Sequence, residues 1–193
     1  MKKETVYRIF GRIPTLETER LILRKMKTSD ANDMYDYSRR PEVTKYLLWE
    51  PHTDISHTID YLDYLQTRYR VGDFYDWGIV HKKTNRFIGT CGFTVLDFTN
   101  NSAEVGYVLN PDFWGQGYAP EALARVMRFG FMDLNIHRIE ARYMVGNEKS
   151  RRVMEKCGMT FEGVKRSSLY VKGEYHDVGS CAILADEYIR EFL

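Results

Sequence analysis

Apolar and polar residues alternate from Ala103 to Leu109, with Val105, Tyr107 and Leu109 on one side and Glu104 on the other. That period predicts a half-buried β-strand. Asn110-Pro111-Asp112 ends it, and after a Gly-rich stretch the period changes. Leu123, Val126, Met127, Phe131 and Leu134 recur at helical spacing and predict a helix from about Pro120 to Leu134. Pro120 suits its first position, where an N–H would have no partner anyway.

Similar patterns organise the rest. The residues up to about 13 are mixed and read as a loose N-terminal arm. Leu16 to Met26 predicts one strand. Thr28-Ser29-Asp30 can cap a helix running to about Arg39, with Pro41 marking its end. Asp54 can cap a second, whose stripe is Ile55, Ile59, Leu62, Leu65 and Tyr69 and whose stop is Gly72. Tyr75–His81 and Phe87–Val95 predict strands split by the turn Lys83-Thr84-Asn85, and Asn100-Asn101-Ser102 turns into the strand at Ala103. Arg138–Met144 predicts a strand, and Asn147–Cys157 a short helix ended by Gly158. Residues 160–171 and 174–185 predict a hairpin turning at Lys172-Gly173. No repeat, low-complexity segment or Pro/Gly/Ser linker divides the chain, so residues 1–193 are expected to form a single domain with its core at about 16–186. The order β-α-α-β-β-β-α-β-α-β-β is that of one mixed α/β domain. Its middle strands should be antiparallel, with a right-handed parallel crossover around the Gly-rich loop.

Composition adds exclusions. The 193 residues suffice for one full core. A net charge of +1 gives no general drive toward nucleic acid or an anionic membrane. Cys91, Cys157 and Cys181 lack paired spacing, which argues against a disulfide framework or zinc site and for a reducing cytoplasm. The five histidines show no metal-like spacing, so no metal is expected. No signal-peptide core or run of membrane-spanning length is visible.

The chemistry starts at Trp114-Gly115-Gln116-Gly117-Tyr118-Ala119-Pro120-Glu121-Ala122-Leu123, between a strand and a helix. A helix N-terminus presents unpaired N–H groups and about half a positive charge, and glycines let the backbone approach a phosphate closely. A phosphorylated ligand is therefore expected.

With these residues in place, the chain resembles the GNAT superfamily of acetyl-CoA-dependent N-acetyltransferases, and within it the RimJ/RimL type that acetylates protein N-terminal amines. Four stretches carry the resemblance: Leu16–Arg24; Glu104–Leu109 running into Trp114–Ala122; Asn147–Met159; and Gly173-Glu174-Tyr175-His176-Asp177. It implies a GNAT fold, with a mostly antiparallel central sheet, a splayed parallel pair at the acetyl-CoA site and about four flanking helices. It implies that backbone groups of Gly115, Gln116, Gly117, Tyr118 and Ala119 hold the coenzyme A pyrophosphate. Val108, Leu109 and Asn110 would pair with the pantetheine arm, and Trp114 marks the RimJ/RimL branch. Glu104 matches the base that takes a proton from the incoming ammonium, although a carboxylate in a strand is also an ordinary solvated charge. Asn147 would contact coenzyme A, or simply cap its helix. Ser150 stands where many relatives place a Tyr that protonates the leaving thiolate, so it is expected to contact the cofactor and to act as a weaker donor. Lys149, Arg151 and Arg152 read as a solvated charge run from which one, with Arg152 the choice, meets a phosphate. Cys157 falls with Val153 on the core side and reads as a buried hydrophobe.

The expected reaction is direct attack of a primary amine, a protein N-terminus first, on acetyl-CoA. Acetylation of a polyamine, amino acid or drug, and a non-catalytic acyl-CoA sensor, stay open as alternatives. A nucleotide-binding Rossmann domain is opposed by the antiparallel middle and the incomplete G-x-G-x-x-G. A homodimer through the final hairpin is suggested by analogy alone.

Overall fold

A computed structural model of the chain describes residues 1–192. Its elements in order are α1 (Lys3–Phe10), β1 (Leu16–Glu17), β2 (Leu21–Arg24), α2 (Ala31–Ser38), α3 (Pro41–Thr44), α4 (Ile55–Val71), β3 (Tyr75–His81), β4 (Arg86–Asp97), β5 (Ser102–Leu109), α5 (Tyr118–Met132), β6 (Arg138–Met144), α6 (Glu148–Lys156), β7 (Thr160–Val171), β8 (Glu174–Leu184) and α7 (Ala185–Phe192). The strands form one sheet in the order β1-β2-β3-β4-β5-β6-β8-β7. Every neighbouring pair is antiparallel except β5 and β6, which run parallel as α5 crosses between them.

Two apolar clusters sandwich this sheet. On one face, Leu123, Val126 and Met127 of α5 meet Trp77, Ile79, Cys91, Phe93, Ala103 and Val105. On the other, Met34 and Tyr37 of α2 and Leu62, Leu65 and Tyr69 of α4 meet Met26 and Phe87, with Val108 alongside. The alternation along β5 thus divides its residues between two helical layers.

Several expectations need correction. The N-terminal residues are not a loose arm: α1 buries Val6 and Phe10, and the Phe10 ring packs edge-on against Tyr75, Trp77 and Phe129. The single strand over Leu16–Met26 breaks into β1 and β2, because Thr18 turns the chain. Its N–H donates to Leu21 O at 3.0 Å, and its hydroxyl oxygen accepts from the Leu21 N–H at 2.9 Å. Among the described residues helices number seven rather than about four, and the last hairpin strand stops at Leu184, where the Leu184 N–H donates to the Glu187 carboxylate and α7 begins. The central helix also starts two residues early, at Tyr118, so Pro120 is its third residue and still within the turn that requires no N–H.

Phe10→Ala should destabilise the protein by about 3–5 kcal/mol in urea unfolding, the usual loss for a buried Phe. An unpacked arm would lose less than about 0.5 kcal/mol.

Candidate active site

The parallel pairing of β5 and β6 runs from Ser102↔Arg138 to Val105↔Ala141 and then stops. Beyond it β5 stays paired with β4 as far as Leu109, and β6 with β8 as far as Met144↔Val178. A gap opens between them. The Asn110 N–H donates to Ile88 O of β4 at 2.7 Å, so strand alternation turns the N–H groups of Tyr107 and Leu109 toward the gap. The Leu109 carbonyl is already engaged by the Trp114 indole N–H at 2.7 Å.

The gap continues into a cleft of about 1010 Å³. Of the residues expected at a cofactor site, Val108, Leu109, Trp114, Gly115, Gly117, Tyr118, Ala119, Asn147, Ser150 and Arg152 line it. Asn110 and Gln116 do not. Asn110 is fully buried as a brace: its amide donates to Asp36 at 3.0 Å, and its side-chain oxygen accepts from the Asp112 N–H. Gln116 folds back, its side-chain amide donating to Asp112 O. Glu104 stands just before the gap, outside the cleft lining, with its carboxylate 2.7 Å from the Arg142 guanidinium.

The loop has a geometry that suits an anion. Gly115 and Gly117 have φ of 74° and 83°, in the region that disfavours a side chain. At Gly115 a Cβ would meet nothing, so backbone conformation and not space requires the glycine there. No side chain caps α5, which leaves the N–H groups of Tyr118 and Ala119 open. Arg20 holds this helix end in place. It stacks on the Tyr118 ring at 4.2 Å, donates to Gln116 O and to the Glu121 carboxylate, and its N–H also reaches Glu121. Burial acts to raise the Glu121 pKa, but the Thr18 hydroxyl and the Arg20 backbone and side chain outweigh it and hold the carboxyl below its usual range.

On the far wall, Asn147 is the helix cap of the simpler reading: its side-chain oxygen accepts from the Ser150 N–H, and it lines the cleft as well. Ser150 lies 2.9 Å from the Tyr107 hydroxyl, which also donates to Ser150 O. Burial pushes Tyr107 well up, so its phenol stays protonated. Lys149 sits 4.6 Å over the Trp114 ring, and with Lys45, Arg152 and Lys156 it lines the cleft. Arg151 turns away to Glu155. Cys157 is buried against Pro120 O, and burial pushes its thiol up to about 12, which leaves it unsuited to be a nucleophile.

Sequence reasoning missed Tyr107 and the stretch Glu42–Leu47. Tyr107 was legible only as an apolar strand position, although its place three residues after Glu104 puts it at the gap. The α3 stretch carries no local signal, because tertiary packing alone brings it to the cleft.

The model for the acetyltransferase (GNAT) domain matches residues 20–160. The chain belongs to this family. An uncharacterized N-acetyltransferase, p20, of Bacillus licheniformis is 38% identical over 90% of this chain and 98% of its own length. The [ribosomal protein uS5]-alanine N-acetyltransferase of Escherichia coli is 28% identical over 84% of this chain and 86% of its own, and the spermidine N(1)-acetyltransferase of Vibrio cholerae 24% over 88% and 96%. A GNAT-family acetyltransferase structure from Bacillus anthracis superposes with a TM-score of 0.80 at 28% identity, covering 90% of this chain and 99% of that one. RimL, a ribosomal L7/L12 α-N-protein acetyltransferase solved with coenzyme A, shares the fold at a TM-score of 0.77 and 24% identity, covering 90% and 99%. This GNAT enzyme is an acyltransferase whose donor is acetyl-CoA. The uncapped α5, the two positive-φ glycines and the cationic wall fit a donor that carries phosphates.

The lowered Glu121 pKa stabilises the fold fully above about pH 4.5, and that contribution disappears as pH falls below it. Glu121→Gln should therefore flatten the acid side of the Tm-against-pH curve while lowering Tm at pH 7.

Proposed function

We propose that this N-acetyltransferase acts on the α-amine of a polypeptide N-terminus. The observation that carries the reading is the charge of the cleft. Lys45, Lys149, Arg152 and Lys156 line it against Glu42 and Glu148. Such a surface attracts the phosphates of the donor and leaves few carboxylates to gather the several charges of a polycation. An α-amine carries a single charge and has a pKa near ~8, so it enters more readily than a polyamine and gives up its proton more easily. The uS5-alanine acetyltransferase among the relatives supports the same choice.

Backbone N–H groups of Gly115, Gln116, Gly117, Tyr118 and Ala119 would hold the pyrophosphate, with Arg152 nearby. Bound acetyl-CoA supplies an acetyl group activated as a thioester. The Leu109 N–H, turned into the gap, would polarise the reacting carbonyl. Ser150, positioned by Tyr107, would turn its hydroxyl proton from Tyr107 to the departing sulfur. Glu104, paired with Arg142, borders the amine's approach, and its charge favours a cation there. Asn110 and Gln116 act on the donor through the loop they brace. We place the enzyme in the cytoplasm, where the free buried thiols of Cys91, Cys157 and Cys181 stay reduced.

An acceptor screen with mass-spectrometric detection tests this. Peptides with free N-termini should be acetylated in preference to spermidine, and the reverse order would sink the proposal. Ser150→Ala should lower kcat about tenfold with little change in peptide KM, the size expected for one hydrogen bond to developing charge.

A further inference from the structure

Asp76 of β3 has no role so far. Its residue is half-buried, and its Oδ1 is fully covered without a hydrogen-bond partner. Among the described residues no Lys or Arg pairs with it, although burying an ionised carboxylate without a cation costs several kcal/mol. Register places it well for the reaction. Asp76 pairs with Gly92 of β4, and Gly92 pairs with Gly106 of β5. Cross-strand partners point to the same face. Trp77 enters the α5-side core, so this row faces the α2–α4 layer. Gly106 is the first residue of β5 beyond its last pair with β6. Two strand spacings of about 4.8 Å put Asp76 roughly 10 Å from the mouth of the gap. The two positions between carry no side chain. A Cβ at Gly92 would stand 2.4 Å from Tyr75 O and 2.7 Å from Asp76 Oδ1, so glycine there also makes room for the carboxylate.

We infer that Asp76 is the residue that draws the acceptor's primary ammonium to the mouth of the gap and, through water lying over Gly92 and Gly106, takes its proton. The inference rests on the acetyltransferase reading and deepens it. The proton passes from the ammonium nitrogen along that water to the Asp76 carboxylate. The freed lone pair forms the C–N bond as the C–S bond breaks, the departing thiolate takes the second amine proton, and Asp76 returns its own to water. The groups around it suit this task. Tyr37 of α2 and Tyr61 and Tyr69 of α4 lie close, and all three are pushed up chiefly by burial, with Asp76 adding to each. They stay protonated and do not compete for the proton. Hydrogen bonds to Asp76 from the Thr90 hydroxyl of β4 and the Trp77 N–H oppose its rise without cancelling it, and on β2 Arg24 is engaged by Asp30. Glu104 and Arg142, further along the face, hold each other. Burial raises Asp76 to about 7, well matched to a base working near neutral pH.

The test compares wild type, Asp76→Asn and Glu104→Gln, each loaded with coenzyme A. Calorimetry at pH 8 measures the binding of an alanine-initiated peptide and of spermidine. Asp76→Asn should bind either amine at least tenfold more weakly while its coenzyme A affinity stays unchanged. With acetyl-CoA, its kcat/KM should fall about 100-fold and lose the ionisation near pH 7. Glu104→Gln should keep that ionisation. Asp76→Asn should also melt higher than wild type at pH 8, because it removes an unpaired buried charge. Equal amine affinity in Asp76→Asn, no amine binding by wild type, loss of the ionisation in Glu104→Gln alone, or a lower melting point at pH 8 would each overturn the inference. A wild type that binds amines but acetylates spermidine alone refutes the peptide reading, and the Asp76 comparison is then decided on spermidine.

Discussion

Strands β5 and β6 share a short parallel ladder and then part after Val105 and Ala141. A parting costs free energy, because each strand leaves N–H and C=O groups without partners. Here each is held from its outer side, β5 by β4 and β6 by β8, so the gap cannot close by simple sliding. Asn110 adds a second restraint: its N–H goes to β4, and its side chain goes to Asp36 of α2. Asp36 in turn meets Arg40 and Arg86, and Arg40 reaches Asp112 in the loop. Burial alone would raise the Asp36 pKa, yet Asn110 and the two guanidinium groups hold it low, so the brace stays charged at neutral pH. The hydrogen-bonding groups at the gap are thus oriented before any substrate arrives, which is where much enzymic acceleration originates.

The same parting assigns the sheet's two faces to two tasks. On the α5 face the strand end leads into a loop and a helix N-terminus held by Arg20 and Glu121, and α6 supplies the opposite wall. On the proposed reading this is the donor side. On the α2–α4 face lie Glu104, Gly106 and Asp76, with tyrosines above them. Only at the gap do the faces communicate, so a reaction between substrates from opposite sides has one place to occur.

Local signals recovered most of this. Glycines at 115 and 117, a strand before them and a helical stripe after them foretold the tight loop and the helix start, because those residue types act through their own backbone. Asn147 was legible as a cap for the same reason. Signals failed where a role depends on distant contacts. Val6 and Phe10 look unremarkable in a mixed segment, and only distant elements make them core, Phe10 meeting Tyr75 and Trp77 of β3 and Phe129 of α5. Asn110 read as a ligand contact because its neighbours are; its amide is in fact turned inward to Asp36, a partner 74 positions away. Asp76 read as one more polar residue at the start of a strand, since the glycines beside it are neighbours across the sheet and not along the chain.

Trp114 carries one more consequence. By donating to the Leu109 carbonyl it occupies the acceptor that an added strand would normally find beside the Leu109 N–H. The edge of β5 is left chemically lopsided at that point, with a free donor beside an acceptor already engaged. A ligand lying along it must turn a carbonyl toward Leu109, and an amide placed there the other way round would lose its partner. The indole therefore sets the direction in which an acyl chain can lie, without touching that chain.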